Sequence, residues 1–266
     1  MFGFEPLHFV FVVPTYNNEL YAQRNLESLI EQETDHSYSI IVINDCSTDN
    51  TGKVLEDFKE QHQLNDMFLK IIHNPTRRGA LSNIYTTIHE QCTKDQIVVL
   101  VDGDDTLAHS QVLNRLAQEY EDKNVWMTYG QFVFYPDGPG GRLWGTTYEI
   151  SQDDQIHRRI RNLVYVAQHP RTFRVPLFLK IQEEHLKLDG KFFEMNADMA
   201  TMIPMLEMAS PKKGTAQSHS VFIPDILYIY NYDNPINDHK VNRALQLSLE
   251  EVIRAIPPYE PLDSLD

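Results

Sequence analysis

The sequence QIVVLVDGDD at residues 96–105 joins a continuous run of aliphatic side chains to a turn that carries three carboxylates. The aliphatic run lacks polar alternation, which indicates a strand buried on both faces, as in a parallel sheet. Asp102, Asp104 and Asp105 are so close that their charges are unfavourable unless a cation or strong hydrogen-bond donors offset them. Their hard oxygen atoms suit Mg²⁺ or Mn²⁺, whereas the plainer interpretation is an acidic turn that caps the next helix.

Three earlier segments repeat this arrangement of a buried strand, a polar loop and a helix. Predicted strands occupy residues 9–13, 39–43 and 69–72, and helical patterns follow them, including residues 19–33 and 80–91. Such alternation predicts an α/β fold with a mostly parallel sheet, helices on both faces and right-handed crossovers. Ligands bind at the carboxyl ends of the strands in open sheets of this kind, so the four polar loops form one candidate site.

The second half of the chain mixes strand and helix patterns without a repeat or a clear linker. Strands are predicted at residues 126–135 and 222–232, and a helical tail follows the second of them. A charged helix at residues 154–162 and a Met-rich amphipathic helix at residues 197–208 lie between these strands. Met-rich stripes of this type favour adaptable core packing over a cofactor pocket. We therefore expect one continuous domain with two lobes.

The composition excludes several classes of protein. In 266 residues, 38 acidic side chains outweigh 23 basic ones, and the net charge of −15 repels phosphate backbones and anionic lipid headgroups. Nucleic acid and membrane surfaces are therefore not expected partners, and an anionic substrate would need a local cation. Two cysteines, Cys46 and Cys92, provide neither a disulfide framework nor a four-thiolate zinc site. The longest apolar runs have strand length, so we expect a soluble, cytoplasmic protein without a membrane span.

Four motifs resemble the successive nucleotide-binding signatures of family-2 inverting glycosyltransferases, which have the GT-A fold. They are VPTYN at residues 13–17, VINDCSTDNT at residues 42–51, the loop at residues 74–79 and DGDD at residues 102–105. Both their order and their spacing match. The resemblance implies a Rossmann-like, mostly parallel central sheet flanked by helices, with a smaller lobe on the acceptor side.

The resemblance implies a metal-dependent enzyme that moves a sugar from a nucleotide-diphosphate donor, preferably UDP-linked, to a hydroxyl acceptor such as a glycan. Asp104 and His239 are the implied ligands of Mn²⁺ or Mg²⁺, which would neutralise the departing nucleoside diphosphate. Asn44 and Cys46 replace an acid and a glycine of the common pattern, which leaves Asp45 for the nucleobase. The residues expected to bind the nucleotide-sugar are Pro14, Thr15, Tyr16, Asn17, Asp45, Arg78, Asp102 and Gly103.

An inverting transfer needs a carboxylate base that takes the proton of the acceptor hydroxyl during attack. The family usually supplies this base at the start of a helix, in an acid-Asp pair, and residues 196–198 match that position. Ala197 stands where the usual acid lies, so Asp198 is the predicted base and Glu194 the alternative. Asp198 also suits the plainer role of an acid that favours a helix N-terminus. The residues expected on the acceptor side, or supporting the site, are Asp105, His169, Arg171 and Trp144.

The resemblance divides the one continuous domain into three portions. Residues 1–125 would bind the nucleotide-sugar, residues 126–232 would bind the acceptor and supply the base, and residues 233–266 form a C-terminal tail. Two other functions remain open at this point: a sugar-phosphate nucleotidyltransferase, and a catalytically inactive carbohydrate-binding protein with the same fold. The first would usually carry a glycine-rich signature near the first strand, and the second would be favoured by loss of the acidic cluster. The sugar, the acceptor and the oligomeric state are left open.

Overall fold

The fold is described from a computed structural model, which covers residues 5–135, 147–212, 214 and 217–266. Within these ranges the strands are β1 His8–Thr15, β2 Ser37–Asn44, β3 Leu69–His73, β4 Gln96–Leu100, β5 Thr106–Leu107, β6 Met127–Tyr135, β7 Arg171–Arg174, β8 Lys187–Leu188, β9 Lys191–Phe192 and β10 Ser220–Asn231. The α-helices are α1 Ala22–Ile30, α2 Thr51–Gln61, α3 Ala80–Gln91, α4 Val112–Tyr120, α5 Gln152–Ile156, α6 Val175–Phe178, α7 Ala197–Met208, α8 Asp238–Val241 and α9 Arg243–Ala255.

The central sheet has the strand order β3-β2-β1-β4-β7-β6-β10-β5 in the part of the chain that the structure describes. Strands β1 to β4 pair only in parallel with one another, which confirms the sequence prediction for the first half. Strand β7 runs antiparallel to both β4 and β6, whereas β10 pairs in parallel with β6. Antiparallel β7 therefore joins the second lobe to the first half of the chain within one sheet.

Both faces of the first strand are buried, as its unbroken apolar run predicts. Val10 and Val12 belong to a buried cluster that includes α3 and the Met-rich α7. Phe9 and Phe11 belong to a second cluster, which includes α1, α2 and α4 on the opposite face. Full burial of one such side chain stabilises the fold by about 1.5–3 kcal/mol, so this double burial fixes the register of the central strands.

Two predicted boundaries differ from the structure for a backbone reason. Helix α1 begins at Ala22 rather than near residue 19: the left-handed Asn17, with φ of 50°, interrupts the chain after β1, and a turn at residues 19–21 follows before the helix. The stretch predicted as one helix at residues 154–162 is divided into α5 and a 3₁₀ turn at Ile160–Asn162, with Arg158 left-handed between them. A left-handed residue cannot continue a right-handed helix, so each of these positions ends regular structure.

The C-terminal segment packs against the Met-rich helix α7. After α9, residues 256–266 extend along the protein, and the Leu262 N–H donates to the carbonyl oxygen of Met208 at 2.9 Å. The buried carboxylate of Glu207 accepts from Arg161 at 2.7 and 2.9 Å and from the backbone N–H of Tyr259 at 3.0 Å. The tail is thus attached to the core of the second lobe. None of the helices in the described ranges is long and apolar enough to cross a membrane.

Candidate active site

The polar loops after β1, β2 and β4 are hydrogen-bonded to one another at the carboxyl ends of the parallel strands. The backbone N–H of Asn17 donates to Ser47 Oγ at 2.9 Å, and that of Asn18 donates to Thr51 Oγ1 at 2.7 Å. The backbone N–H of Gly103 donates to the carbonyl oxygen of Pro14 at 3.2 Å. The first, second and fourth motifs therefore meet at one site, as the parallel sheet predicts.

Asp45 holds the third loop in place. Its buried carboxylate accepts from the backbone N–H groups of Arg78 and Gly79 at 2.9 and 2.8 Å and from the Asn74 amide at 2.8 Å. Burial acts to raise the pKa of Asp45, but hydrogen bonds from Asn74, Asn83 and the two backbone groups hold it below its ordinary value. The carboxylate therefore stays ionised and orders the loop, while its contact with a nucleobase stays a prediction.

The two neighbouring arginines of the third loop point in different directions. The guanidinium of Arg78 donates to Thr86 Oγ1 on α3 at 3.0 Å. The guanidinium of Arg77 stacks over the ring of Tyr16, 3.9 Å from its centroid. Arg77 is thus the arginine beside the first motif, although the sequence favours Arg78, because a pair of adjacent arginines carries no pattern that tells which one faces the site.

Gly103 allows the acidic turn to approach the end of β1. A Cβ atom added at this position would lie 2.4 Å from both Cβ and Oγ1 of Thr15 and 3.0 Å from its Cα. No side-chain rotation removes a clash with a Cβ or a Cα atom, so the backbone would have to move. The glycine is therefore required for packing at the predicted nucleotide site.

We expect Gly103→Ala to lower the free energy of unfolding by roughly 1–3 kcal/mol, the usual cost of overpacking. Denaturant unfolding of the purified protein would measure this. Gly52→Ala is a matched control, because its added Cβ would meet mainly the flexible end of Asn44, at 2.9 Å. An equal loss in both variants would contradict the claim that Gly103 is required by the approach to Thr15.

The three acids after β4 have different surroundings. Asp105 is fully buried, and its carboxylate accepts from the Tyr228 hydroxyl at 2.8 Å and from the Asn231 N–H at 2.6 Å. The carboxylate of Asp104 accepts from the Asn234 amide at 2.6 Å. The side chain of Asp102 is 42% exposed and is the acid most open to a ligand.

Burial raises the pKa values of all three acids, and at Asp102 the charge of Arg171 opposes this rise while that of Asp198 adds to it. Burial is the main cause for each, and it raises the pKa of Asp104 to about 6. The neighbouring acids add repulsion at Asp104 and Asp105, and the pKa of Asp105 lies well above its usual range. A bound cation stabilises the ionised form of neighbouring carboxylates whose pKa values are raised. The cluster therefore suits a divalent ion.

His169 joins this acidic cluster from the start of β7. Its ring is 2% exposed, stacks on Tyr228 at 3.9 Å between centroids, and places Nε2 3.5 Å from an Asp102 oxygen. Ligand atoms of Asp102, Asp105 and His169 all lie within 4.8 Å of one another. Neither ring nitrogen has a hydrogen-bond partner among the described residues. Burial, with Arg171 nearby, lowers the pKa of His169 well below its usual value, so the ring is neutral and able to bind a metal ion.

The predicted base, Asp198, lies in the first turn of α7, and its charge acts on Asp102 of this cluster. Arg171 Nη2 lies 3.3 Å from an Asp198 oxygen, and Arg171 is itself buried. Burial acts to lower the pKa of Arg171, but the charges of Asp198, Tyr165 and Asp102 hold it above its usual value. Arg171 thus interacts electrostatically with carboxylates from both halves of the chain, Asp102 and Asp198. The other candidate base, Glu194, is exposed.

Three other residues, His239, Trp144 and Asp238, lie outside the contacts described above. His239 stacks on Tyr232 at 5.6 Å, and its buried Nε2 has no hydrogen-bond partner in the part of the chain described. It is not part of the group formed by the two acids and His169, so its role as a ligand stays a prediction. Trp144 lies outside the described residues. Asp238 was not singled out from the sequence: it is exposed at the start of α8, and desolvation by the surrounding protein, with the charges of Asp198 and Asp102, raises its pKa to about 6.

The sheet, with its polar loops at the carboxyl ends of the parallel strands, has the GT-A fold. The chain belongs to glycosyl transferase family 2, since residues 10–181 match that family. It is 26% identical over 230 residues to the glycosyltransferase GlyG of Streptococcus pneumoniae, over 82% of this chain and 69% of GlyG. It is 31% identical over 100 residues to TarS of Staphylococcus aureus, a poly(ribitol-phosphate) beta-N-acetylglucosaminyltransferase, over 37% of this chain but only 16% of TarS.

Solved structures agree with this fold. TarS residues 1–349 in complex with UDP-GlcNAc match with a TM-score of 0.60 at 20% identity, over 86% of this chain and 59% of that one. The mannosyltransferase PcManGT of Pyrobaculum calidifontis, in complex with GDP-Man and Mn²⁺, matches with a TM-score of 0.61 at 18% identity, over 97% of this chain and 66% of that one. At this level of sequence identity, both similarities concern the fold alone.

Proposed function

We propose that this protein is a metal-dependent, inverting glycosyltransferase that moves a sugar from a nucleotide-diphosphate donor to a hydroxyl of a glycan or similar acceptor. One observation carries the proposal: buried Arg171 contacts the Asp198 carboxylate at the start of α7 at 3.3 Å and also interacts electrostatically with Asp102 of the acidic cluster after β4. A cation-assisted donor site and a base on the opposite side are what an inverting transfer requires. Membership of a glycosyltransferase family and the intact acidic cluster favour this function over the nucleotidyltransferase and the inactive binding protein.

The proposed donor is UDP-linked. TarS, which matches this chain in sequence and in fold, has been solved with UDP-GlcNAc, whereas PcManGT has been solved with GDP-Man. The motifs would bind the donor at the carboxyl ends of the parallel strands, with Arg77 or Arg78 beside the diphosphate. An arginine supplies paired donors that match phosphate oxygens, which suits either residue.

Residues of the chain would supply two functions in the transfer: activation of the acceptor hydroxyl and binding of the cation. Asp198 would accept the proton of the acceptor hydroxyl while that oxygen attacks the anomeric carbon of the donor sugar. Arg171, whose Nη2 lies 3.3 Å from an Asp198 oxygen, would orient that carboxylate. Mn²⁺ or Mg²⁺, when bound, supplies positive charge that neutralises the leaving diphosphate. Its ligands would come from Asp104 with His239, or from the cluster of Asp102, Asp105 and His169.

Thermal shift with nucleotide-sugars tests the proposed donor. We expect UDP-GlcNAc with Mn²⁺ to stabilise the protein by about 2.7 kcal/mol when its concentration is about 100 times the Kd. Stabilisation should be smaller without Mn²⁺ and smaller again with uridine, which lacks the diphosphate that the cation neutralises. GDP-Man, measured in parallel, reports the base preference. If no nucleoside diphosphate stabilised the protein in the presence of Mn²⁺, the proposed function would be wrong.

Asp104→Asn tests the sequence-predicted metal ligand. We expect the affinity for UDP-GlcNAc in the presence of Mn²⁺ to fall at least roughly 10-fold, because an amide oxygen replaces a charged ligand of the cation. Calorimetric titration of donor with and without Mn²⁺ would measure the change. Asp35→Asn, a substitution of the same type at an exposed acid, is the control. An unchanged Mn²⁺ dependence in Asp104→Asn would move the ligand role to the Asp102, Asp105 and His169 cluster.

A further inference from the structure

Asn234 makes an unusual set of contacts at the acidic cluster. The side chain is 3% exposed and lies in the segment that follows β10. Its Nδ2 donates to Asp104 Oδ2 at 2.6 Å and to Asn18 Oδ1 at 3.1 Å. Its Oδ1 accepts from the backbone N–H of Ile236 at 3.2 Å. Both amide hydrogens and the oxygen are therefore engaged.

The orientation of this amide follows from its neighbours. Turning it over would place Oδ1 against the Asp104 carboxylate and the Asn18 oxygen, and would face Nδ2 toward the Ile236 N–H. Three favourable hydrogen bonds would become three repulsive contacts. Asn234 is thus a fixed donor toward Asp104, and a hydrogen bond to an ionised acceptor is roughly twice as strong as a neutral one.

The contacts join parts of the chain that are far apart in sequence. Asn234 is separated from Asp104 by 130 positions and from Asn18 by 216. Asn18 in turn donates from Nδ2 to Thr15 Oγ1 at 3.0 Å, at the end of the first motif. Among the described residues, Asn234 is the one side chain with a hydrogen bond to the Asp104 carboxylate, since Arg24 contacts only the Asp104 backbone oxygen.

We propose that Asn234 is a positioning residue for the transfer reaction, which fixes the Asp104 carboxylate through Oδ2 and leaves Oδ1 for a divalent cation. This inference rests on the proposed function, in which Asp104 is a cation ligand. The same amide couples the carboxylate to the first motif through Asn18, so the C-terminal segment aligns the cation site with the donor site. Hydrogen bonds that orient a ligating carboxylate change metal affinity by about 10- to 100-fold when they are removed.

Mn²⁺ binding to the full chain, measured by electron paramagnetic resonance without donor, tests this inference. We expect Asn234→Ala and Asn234→Leu each to raise the Kd for Mn²⁺ at least about 10-fold. The leucine variant keeps the branched shape of the side chain and removes the polar atoms, so it serves if the alanine variant folds poorly. In turnover assays, both should raise the Mn²⁺ concentration needed for half-maximal rate more than they lower kcat.

Asn237→Ala is the matched control. Its amide donates to the Asn231 carbonyl oxygen at 2.9 Å in the same segment, without a hydrogen bond to any of the three acids. We expect a comparable loss in thermal stability but a Kd for Mn²⁺ within about twofold of the parent, since no ligand is reoriented. The inference is overturned if both Asn234 variants bind Mn²⁺ as tightly as Asn237→Ala. If the parent protein binds neither Mn²⁺ nor UDP-GlcNAc, both the proposed function and this inference fail. That result differs from one in which the parent binds Mn²⁺ and only the role of Asn234 is wrong.

Discussion

Replacing Asp198 with asparagine is expected to lower sugar transfer at least about 100-fold, the lower range for loss of a general base. This corresponds to about 2.7 kcal/mol of transition-state stabilisation. The amide keeps the size of the side chain and a hydrogen-bonding oxygen for Arg171, but it cannot accept the proton of the acceptor hydroxyl. Single-turnover transfer from UDP-GlcNAc to an acceptor would measure the rate. Donor affinity should stay close to that of the parent, because the proposed role of Asp198 is toward the acceptor hydroxyl rather than the donor.

Two companion variants sharpen this result. Glu194→Gln removes the rival carboxylate, which is exposed, and a large loss there with normal transfer in Asp198→Asn would reverse the assignment. Asp189→Asn is a control of the same chemical type at an exposed turn between β8 and β9, where the left-handed φ of 51° suits asparagine. Transfer by Asp189→Asn is expected to stay within about twofold of the parent, as for a surface substitution away from the site.

Glu207→Ala is expected to lower the free energy of unfolding by about 3–5 kcal/mol, because it leaves the Arg161 charge buried without its partner. The two side chains are 4% and 9% exposed and form a two-point ion pair. The substitution also removes the acceptor of the Tyr259 N–H, which attaches the tail. A fall in Tm of roughly 10 °C should accompany this loss.

Glu260→Ala is the matched control in the same tail. Glu260 pairs with Arg158 at the surface, and its side chain is 78% exposed. Exposed ion pairs contribute about 0–1 kcal/mol, so its Tm should change by only one or two degrees. Thermal unfolding of both variants under one set of conditions makes the comparison. Similar, small shifts in the two would mean that Glu207 does not hold a buried charge in place.

Much of the first half could be predicted from local pattern. The bounds predicted for residues 80–91 agree with α3, and in the second half those for residues 197–208 agree with α7. The prediction that α7 is amphipathic was wrong, because the helix is buried on all sides from Met199 to Met208. The parallel strands were also found, since each carries an apolar run that both faces of a sheet must bury. Residues 154–162 were wrong as a single helix, because charge and composition do not reveal the left-handed backbone of Arg158.

The candidate site was predicted less completely than the fold. His169 was predicted on the acceptor side or as a supporting residue; the structure shows its ring beside Asp102 and Asp105, and its role stays a prediction. Asp238 and Asn234 have no role in any motif, yet one lies near Asp198 and the other contacts Asp104. A side chain that reaches a site from a distant strand end leaves no local signal in spacing or periodicity, so sequence reasoning had nothing to detect.

The sequence by itself determined the class of fold, the edge of the sheet that carries the site, and the acids that follow β4. It could do so because parallel strands must present their carboxyl ends together, and that geometry follows from local alternation. Only the tertiary structure decided which acid is open, which arginine faces the first motif, and which late residue holds Asp104. Those outcomes depend on hydrogen bonds and burial between segments up to 216 positions apart, and such contacts exist only once the chain has folded.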